Sequence, residues 1–261
     1  MNTLPDTVLD SVAMFQRNMV HAVRYPLIMY MIGVPVVVLL LFVFAFGGTL
    51  GAGLPGGGGT DAYLDYIVPG VVFLAVGGAG QMAAISVAQD MTEGIIARFR
   101  SMDISRSAVM AGHVIGNTLQ QIIAVAVTMA VAVLIGFRPT ANFGGWLGAF
   151  GLVVMVTVAL TWLCVALGMK AKSVETASNL PMPLVLLPFL ASGFVPAESM
   201  SAGLQWFAQY QPFTPFIETL RAFLLGTPMG MNGWLSIAWC VVIGLSGWFW
   251  SRSLYDRRSL R

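Results

Sequence analysis

Residues 139–169 read PTANFGGWLGAFGLVVMVTVALTWLCVALGM, without one Asp, Glu, Lys or Arg. A bilayer core about 30 Å thick needs roughly 20 mostly apolar residues for a spanning helix, and this stretch exceeds that. Its bounds are charged on both sides, by Arg138 and Lys170. The same pattern recurs along the chain. Uncharged intervals cover 25–60, 66–89, 107–137, 176–197 and 222–251. Each can house one helix and none can house two with a turn between them. The reading is therefore an all-α polytopic membrane protein with six transmembrane helices, at about 26–47, 66–89, 107–136, 143–169, 177–196 and 231–252.

Composition agrees. Of 261 residues, 57% are apolar and only 9% are charged, far below the roughly one quarter charged of a soluble domain. A soluble enzyme and a disordered chain are both excluded. The net charge of +2 gives no footprint for nucleic acid. The two cysteines, Cys164 and Cys240, sit in apolar runs and read as small hydrophobes. The first 25 residues carry Asp6, Asp10, Arg17 and Arg24 and lack the apolar core of a signal peptide. They read as a cytoplasmic amphipathic segment at the interface.

Lys and Arg set the orientation. Arg17 and Arg24, then Arg98, Arg100 and Arg106, then Lys170 and Lys172, then Arg252, Arg257, Arg258 and Arg261 all fall on one side of the predicted spans. Only Arg138 and Arg221 fall on the other. Both termini are thus expected in the cytoplasm. Pro35, Pro69 and the Pro181/Pro183/Pro188 cluster are expected to kink or break helices, and the glycine-rich stretch 51–59 reads as an extramembrane loop.

Two loops carry information. Residues 90–106, DMTEGIIARFRSMDISR, place Ile95, Ile96, Phe99 and Met102 on one side at helical spacing, with Glu93, Arg98 and Arg100 elsewhere. This suits either a connector lying on headgroups or a helix docking into a groove on a cytosolic partner. Residues 197–221 face the outside yet hold Trp206, Phe207, Tyr210, Phe213 and Phe216, with Pro196, Pro212 and Pro215 forbidding one continuous helix. A half-buried or re-entrant hairpin at about 198–226 fits, as an aromatic anchor or as an external gate.

Chemistry is scarce. His113 is placed near the cytoplasmic boundary, and Glu198, Glu218 and Arg221 are placed outside the membrane core, so no buried acid is expected. There is no metal cluster, catalytic carboxylate pair or nucleophilic triad. Nor is there a P-loop, since neither Lys170 nor Lys172 follows a glycine. No catalytic, cofactor-binding or metal-binding residue is expected in this chain. Any uphill transport must draw its energy from another subunit.

Several motifs then resemble a known family. They are the R-Y-P of residues 24–26, YLDYIVPG (63–70), EGIIARFRSM (93–102) with ISRSAV (104–109), GFRP (136–139), SGFVP (192–196), QPFTP (211–215) and ETLRA (218–222). In order and spacing the chain resembles ABC-2 type permeases, and within them the daunorubicin-resistance subgroup of actinobacterial exporters. Asp103 departs from the subgroup, which commonly has Pro there. The resemblance implies the permease half of an ATP-driven exporter of hydrophobic or amphipathic compounds, drug- or lipid-like, in a bacterial cytoplasmic membrane. It implies a second permease copy or related permease as partner, and two cytosolic ATPase subunits that carry the ATP and Mg. It also makes 90–105 a coupling helix, with Glu93, Gly94, Ile95, Arg98, Phe99 and Arg100 meeting the ATPase. Export of polysaccharide or glycolipid, or an uncoupled channel or scaffold, are the alternatives.

Overall fold

The computed structural model describes residues 27–92 and 106–258. The amphipathic segment at 1–25 and the coupling positions Glu93, Gly94, Ile95, Arg98, Phe99 and Arg100 lie outside the described residues. Among those described, every regular element is helical. Five helices are long and apolar enough to cross a bilayer: Met29–Ala52, Gly59–Thr92, Gly112–Leu134, Phe143–Lys170 and Asn232–Leu254.

The first of these is composite. Helix α1 (Leu27–Leu41) passes through a π-helical turn (Phe42–Phe46) into α2 (Gly47–Ala52). A tight turn follows, with Gly56, Gly57, Gly58 and Gly59 all at positive φ, a conformation that L side chains resist. The expected loop at 51–59 is thus a helix end followed by a turn. Helix α3 (Gly59–Thr92) spans about 51 Å at 1.5 Å per residue, starting well before the expected 66. Then come α4 (Arg106–Leu134) and α5 (Phe143–Lys170). Asn142 caps α5 by accepting from the Gly145 N–H at 2.8 Å. The last long helix, α10 (Asn232–Arg258), packs along α5.

Pro35 and Pro69 lie inside α1 and α3 without ending either helix. The clustered prolines act differently. The stretch 177–196, expected as a span, is not one long helix. It breaks into α6 (Val174–Asn179), α7 (Met182–Leu186) and a 3₁₀ turn (Leu187–Leu190). Pro181, Pro183 and Pro188 each remove a backbone donor, and three within eight residues leave no room for an uninterrupted ladder. The pieces nevertheless follow α3 along its length. Ala177 packs with Ala88, and Gln81 Nε2 donates to the Ser178 carbonyl at 2.5 Å. A Cβ at Gly77 would stand 3.2 Å from the Leu184 carbonyl oxygen, and one at Gly70 would stand 2.5 Å from that of Gly193. Tyr63 Oη, near the Gly59 end, donates to the Phe194 carbonyl at 3.1 Å.

After Phe194 the chain turns back. Helix α8 (Ala202–Tyr210) leads to Gln211, whose Nε2 lies 3.4 Å from the Leu187 carbonyl. Helix α9 (Phe213–Leu225) then returns toward the Gly59 end of α3. Phe216 stacks its ring 5.8 Å from that of Phe73, and the Leu224 carbonyl accepts from the Thr140 N–H at 3.0 Å. Gly226, at φ 70°, stops α9 in the left-handed conformation.

The core is built around α3, with Ile67, Val71, Phe73, Leu160, Ile217, Leu220 and Leu224 buried in one cluster. The outside is as apolar as the inside. Val37 on α1, Phe44 in the π-helical turn, Leu147 and Phe150 on α5, and Trp234, Val241 and Phe249 on α10 are all exposed. In water so much apolar surface would drive aggregation; against lipid it is the ordinary exterior.

Candidate functional site

The α8–α9 hairpin is held by a buried polar knot. Its centre is Arg221 in α9, one turn after Glu218, on a helix whose other inward side chains are apolar apart from Thr214 and Thr219. Arg221 Nη1 donates to Glu218 Oε1 at 2.5 Å. Its Nη2 donates to the carbonyls of Tyr66 at 2.9 Å and Ser192 at 3.1 Å, and its guanidinium stacks 4.0 Å from the centre of the Tyr66 ring. Tyr66 Oη donates to the Ser192 carbonyl at 2.7 Å, and Ser192 Oγ donates to Glu218 Oε1 at 2.5 Å. One cation thus ties three pieces of chain that are distant in sequence. Arg-type forked donors suit this, because a single planar group meets a carboxylate and two carbonyls at once.

The turn between α8 and α9 is closed by polar side chains too. Thr214 Oγ1 donates to the Ala208 carbonyl at 2.5 Å and accepts from the Ser192 N–H at 3.3 Å. Gln211 Oε1 accepts from the Phe213 N–H at 3.1 Å. The prolines at 212 and 215 cost this turn its own backbone donors, and the side chains of Gln211 and Thr214 satisfy it instead.

The five aromatics expected to form an external gate do not make one cluster. Trp206 and Tyr210 are 64% and 65% exposed with their rings 5.4 Å apart, and Phe207 is partly exposed beside them. Phe213 and Phe216 are fully buried and pack edge to face, 5.9 Å apart, as part of the core. The first three lie on the surface of α8. The other two hold α9 against α3.

Sequence reasoning foresaw no buried acid, and the structure corrects it. Arg221 is buried inside the hairpin, and Asp90, in the last turn of α3, is 6% exposed. Asp90 Oδ2 stands 3.1 Å from Nε2 of His113 on α4, itself 2% exposed. The rule that ionisable groups avoid lipid is a rule about unpaired charge: Arg221 has its counter-charge one turn away in Glu218, and Asp90 faces His113 across the α3–α4 interface. The i, i+3 spacing of Glu218 and Arg221 within an apolar helix was the available signal for the first pair. No local signal announces the second, because its members lie on different helices.

Two cavities open between helices near the Gly59 end. One of about 430 Å³ is lined by Gly151, Met155, Thr219, Phe223 and Trp234, between α5, α9 and α10. The other, about 200 Å³, lies among α3, α4, α5 and α9 beside Trp146 and Phe150. Both are lined almost wholly by apolar side chains. Among the described residues there is no group of His, Cys, Asp and Glu that could hold a metal ion. Among the described residues the two cavities offer apolar walls.

Comparison with known proteins bears on this directly. Residues 11–225 match the model of a family described as ABC-2 type transporter. The chain is 29% identical over 213 residues to a daunorubicin resistance ABC transporter permease protein, DrrB1, of Streptomyces coeruleorubidus, covering 81% of this chain and 72% of that one. It is 22% identical over 187 residues to a probable doxorubicin resistance ABC transporter permease protein, DrrC, of Mycobacterium tuberculosis, covering 70% and 67% respectively.

Proposed function

This chain belongs to the ABC-2 type transporter family, and on that premise we propose that its cargo is hydrophobic or amphipathic and that a separate ATPase drives its export across a bacterial cytoplasmic membrane. The chain is a permease homologous to drug-resistance permeases, and the similarity to DrrB1 over 81% of its length carries the reading. Apolar lining of the inter-helix cavities supports the cargo class, since almost no charged side chain is available to hold sugars or phosphates.

In this reading both termini and the Thr92 end of α3 face the cytoplasm, as the Lys and Arg distribution requires. The broken segment 174–194 is the fifth of six crossings, a role its contacts along α3 support. The α8–α9 hairpin enters and leaves on the outer side as a re-entrant element, with Trp206, Phe207 and Tyr210 at its rim. Residues 90–105 dock on the ATPase, Phe99 and Ile95 as the apolar anchor and Arg98 and Arg100 as the charged rim, with Glu93 and Gly94 at its start. Two such permeases and two ATPases, which hold ATP and Mg, form the working unit.

The test is co-purification. A Phe99→Asp/Arg98→Asp permease expressed with its ATPase is expected to lose the partner while remaining in the membrane. Recovery of ATPase equal to wild type would refute the docking role.

A further inference from the structure

The residues that join the ATPase-facing segment to the membrane helices are themselves clamped together. Asp90 precedes the end of α3 by two residues, and His113 follows the start of α4 by seven, so the pair brackets 93–105 from both sides. Their side chains approach to 3.1 Å and are both nearly inaccessible. The contact is close without being an aligned hydrogen bond, since neither ring nitrogen of His113 has an aligned partner among the described residues. Val87, one turn before Asp90, and Val114, next to His113, pack with Val165 and Met169 in one buried cluster.

Below the pair, one stripe of α4 continues in polar residues at four-residue spacing. Asn117 Nδ2 donates to the His113 carbonyl at 2.8 Å, and Gln121 Nε2 reaches Thr161 Oγ1 on α5 at 3.4 Å. Thr161 Oγ1 in turn donates to the Thr157 carbonyl at 2.7 Å. Gln121 Oε1 and Thr157 Oγ1 are buried without a partner. A row with unused acceptors and a long, weak cross-link is one that can exchange partners when α4 shifts against α5.

We infer that Asp90 and His113 are positioning residues for transport: their pair makes α3 and α4 move as one when 93–105 is pushed, and the stripe from Asn117 to Gln121 passes that shift to the α4–α5 interface. The inference rests on the docking role proposed for that segment. It is tested in the full-length permease with its ATPase, in a background where Cys164 and Cys240 are Ala. Spin labels at Thr92→Cys and Ser107→Cys report the separation of the two helix ends, and proteoliposomes report anthracycline transported per ATP hydrolysed. Asp90→Asn is expected to broaden the label distance and to lower transport per ATP about tenfold, within the 5–150-fold span of ordinary coupling energies. The exchange Asp90→His/His113→Asp is expected to restore both. Asp90→Leu/His113→Leu should melt no lower than wild type yet stay uncoupled, which a merely structural contact would not do. Unchanged distance and coupling in Asp90→Asn, full coupling in the double Leu variant, or no recovery in the exchange would each overturn the inference. Wild-type permease that fails to retain the ATPase would instead overturn the docking role, while the label distances still read the clamp.

Discussion

Replacing Arg221 by Met removes the cation that ties α9 to α3 and to the turn at residues 191–193. Three acceptors lose a donor, Glu218 Oε1, the Tyr66 carbonyl and the Ser192 carbonyl, the first and last keeping one hydroxyl each. Removing one partner of a buried pair costs about 3–5 kcal/mol. Glu218 is 30% exposed and keeps the Ser192 hydroxyl, so the lower end applies, about 3 kcal/mol. For a chain of this size each kcal/mol moves the melting point by roughly 2–4 °C, giving a fall of about 6–12 °C. Arg221→Lys keeps the charge but not the fork, and is expected to lose about half as much. Glu218→Gln alone also leaves a buried charge without its counter-charge. The double variant should therefore cost less than the two single losses added, by about 1 kcal/mol or more. The assay is thermal unfolding of detergent-purified protein followed by size-exclusion fluorescence. An Arg221→Met protein melting within about 2 °C of wild type, or strictly additive losses, would refute the claim that this knot holds the hairpin.

Two further outcomes follow from the same packing. Phe216→Ala is expected to cost about 3–5 kcal/mol as a cavity in the core, whereas Trp206→Ala should stay within about 0.5 kcal/mol in stability and show itself only in transport; equal melting shifts in the two would contradict the division of the hairpin aromatics. Gly70→Ala drives a methyl onto the Gly193 backbone and should cost about 1–3 kcal/mol, while Gly151→Ala, with no neighbour within 4 Å, should melt as wild type; the pair is read in the same unfolding assay.

The long helices were legible because lipid imposes a simple requirement, an uncharged stretch of sufficient length, and α5 begins within the sequence-derived bounds. What escaped prediction is tertiary. Close backbone approaches, among them Gly70 on Gly193, Gly168 on Ala84 and Gly247 on Leu163, bring segments of the fold together. Those partners are far apart in sequence, and spacing along one helix carries no information about them. Arg221 illustrates the same point for charge. A single-sequence reading sees an arginine one turn after a glutamate, while the Tyr66 and Ser192 carbonyls that receive it are visible only after folding. The proline cluster was read correctly as a helix breaker, but its pieces still track α3, since side-chain hydrogen bonds such as Gln81 to Ser178 and Tyr63 to Phe194 replace the missing ladder. Of the candidate site, the three aromatics on α8 and the Glu218/Arg221 spacing within α9 were within reach of the sequence. The Asp90–His113 pair was not.

The account stands on the claim that this polypeptide provides a route through the bilayer and takes its energy from a bound nucleotide-hydrolysing subunit. The direct measurement is accumulation of a fluorescent anthracycline in inside-out proteoliposomes holding the permease alone, the ATPase alone, or both, with ATP or a non-hydrolysable analogue. The account predicts accumulation only with both proteins and ATP, abolished by Phe99→Asp/Arg98→Asp in the permease. Concentrative uptake by the permease alone, or uptake indifferent to ATP hydrolysis, would contradict it.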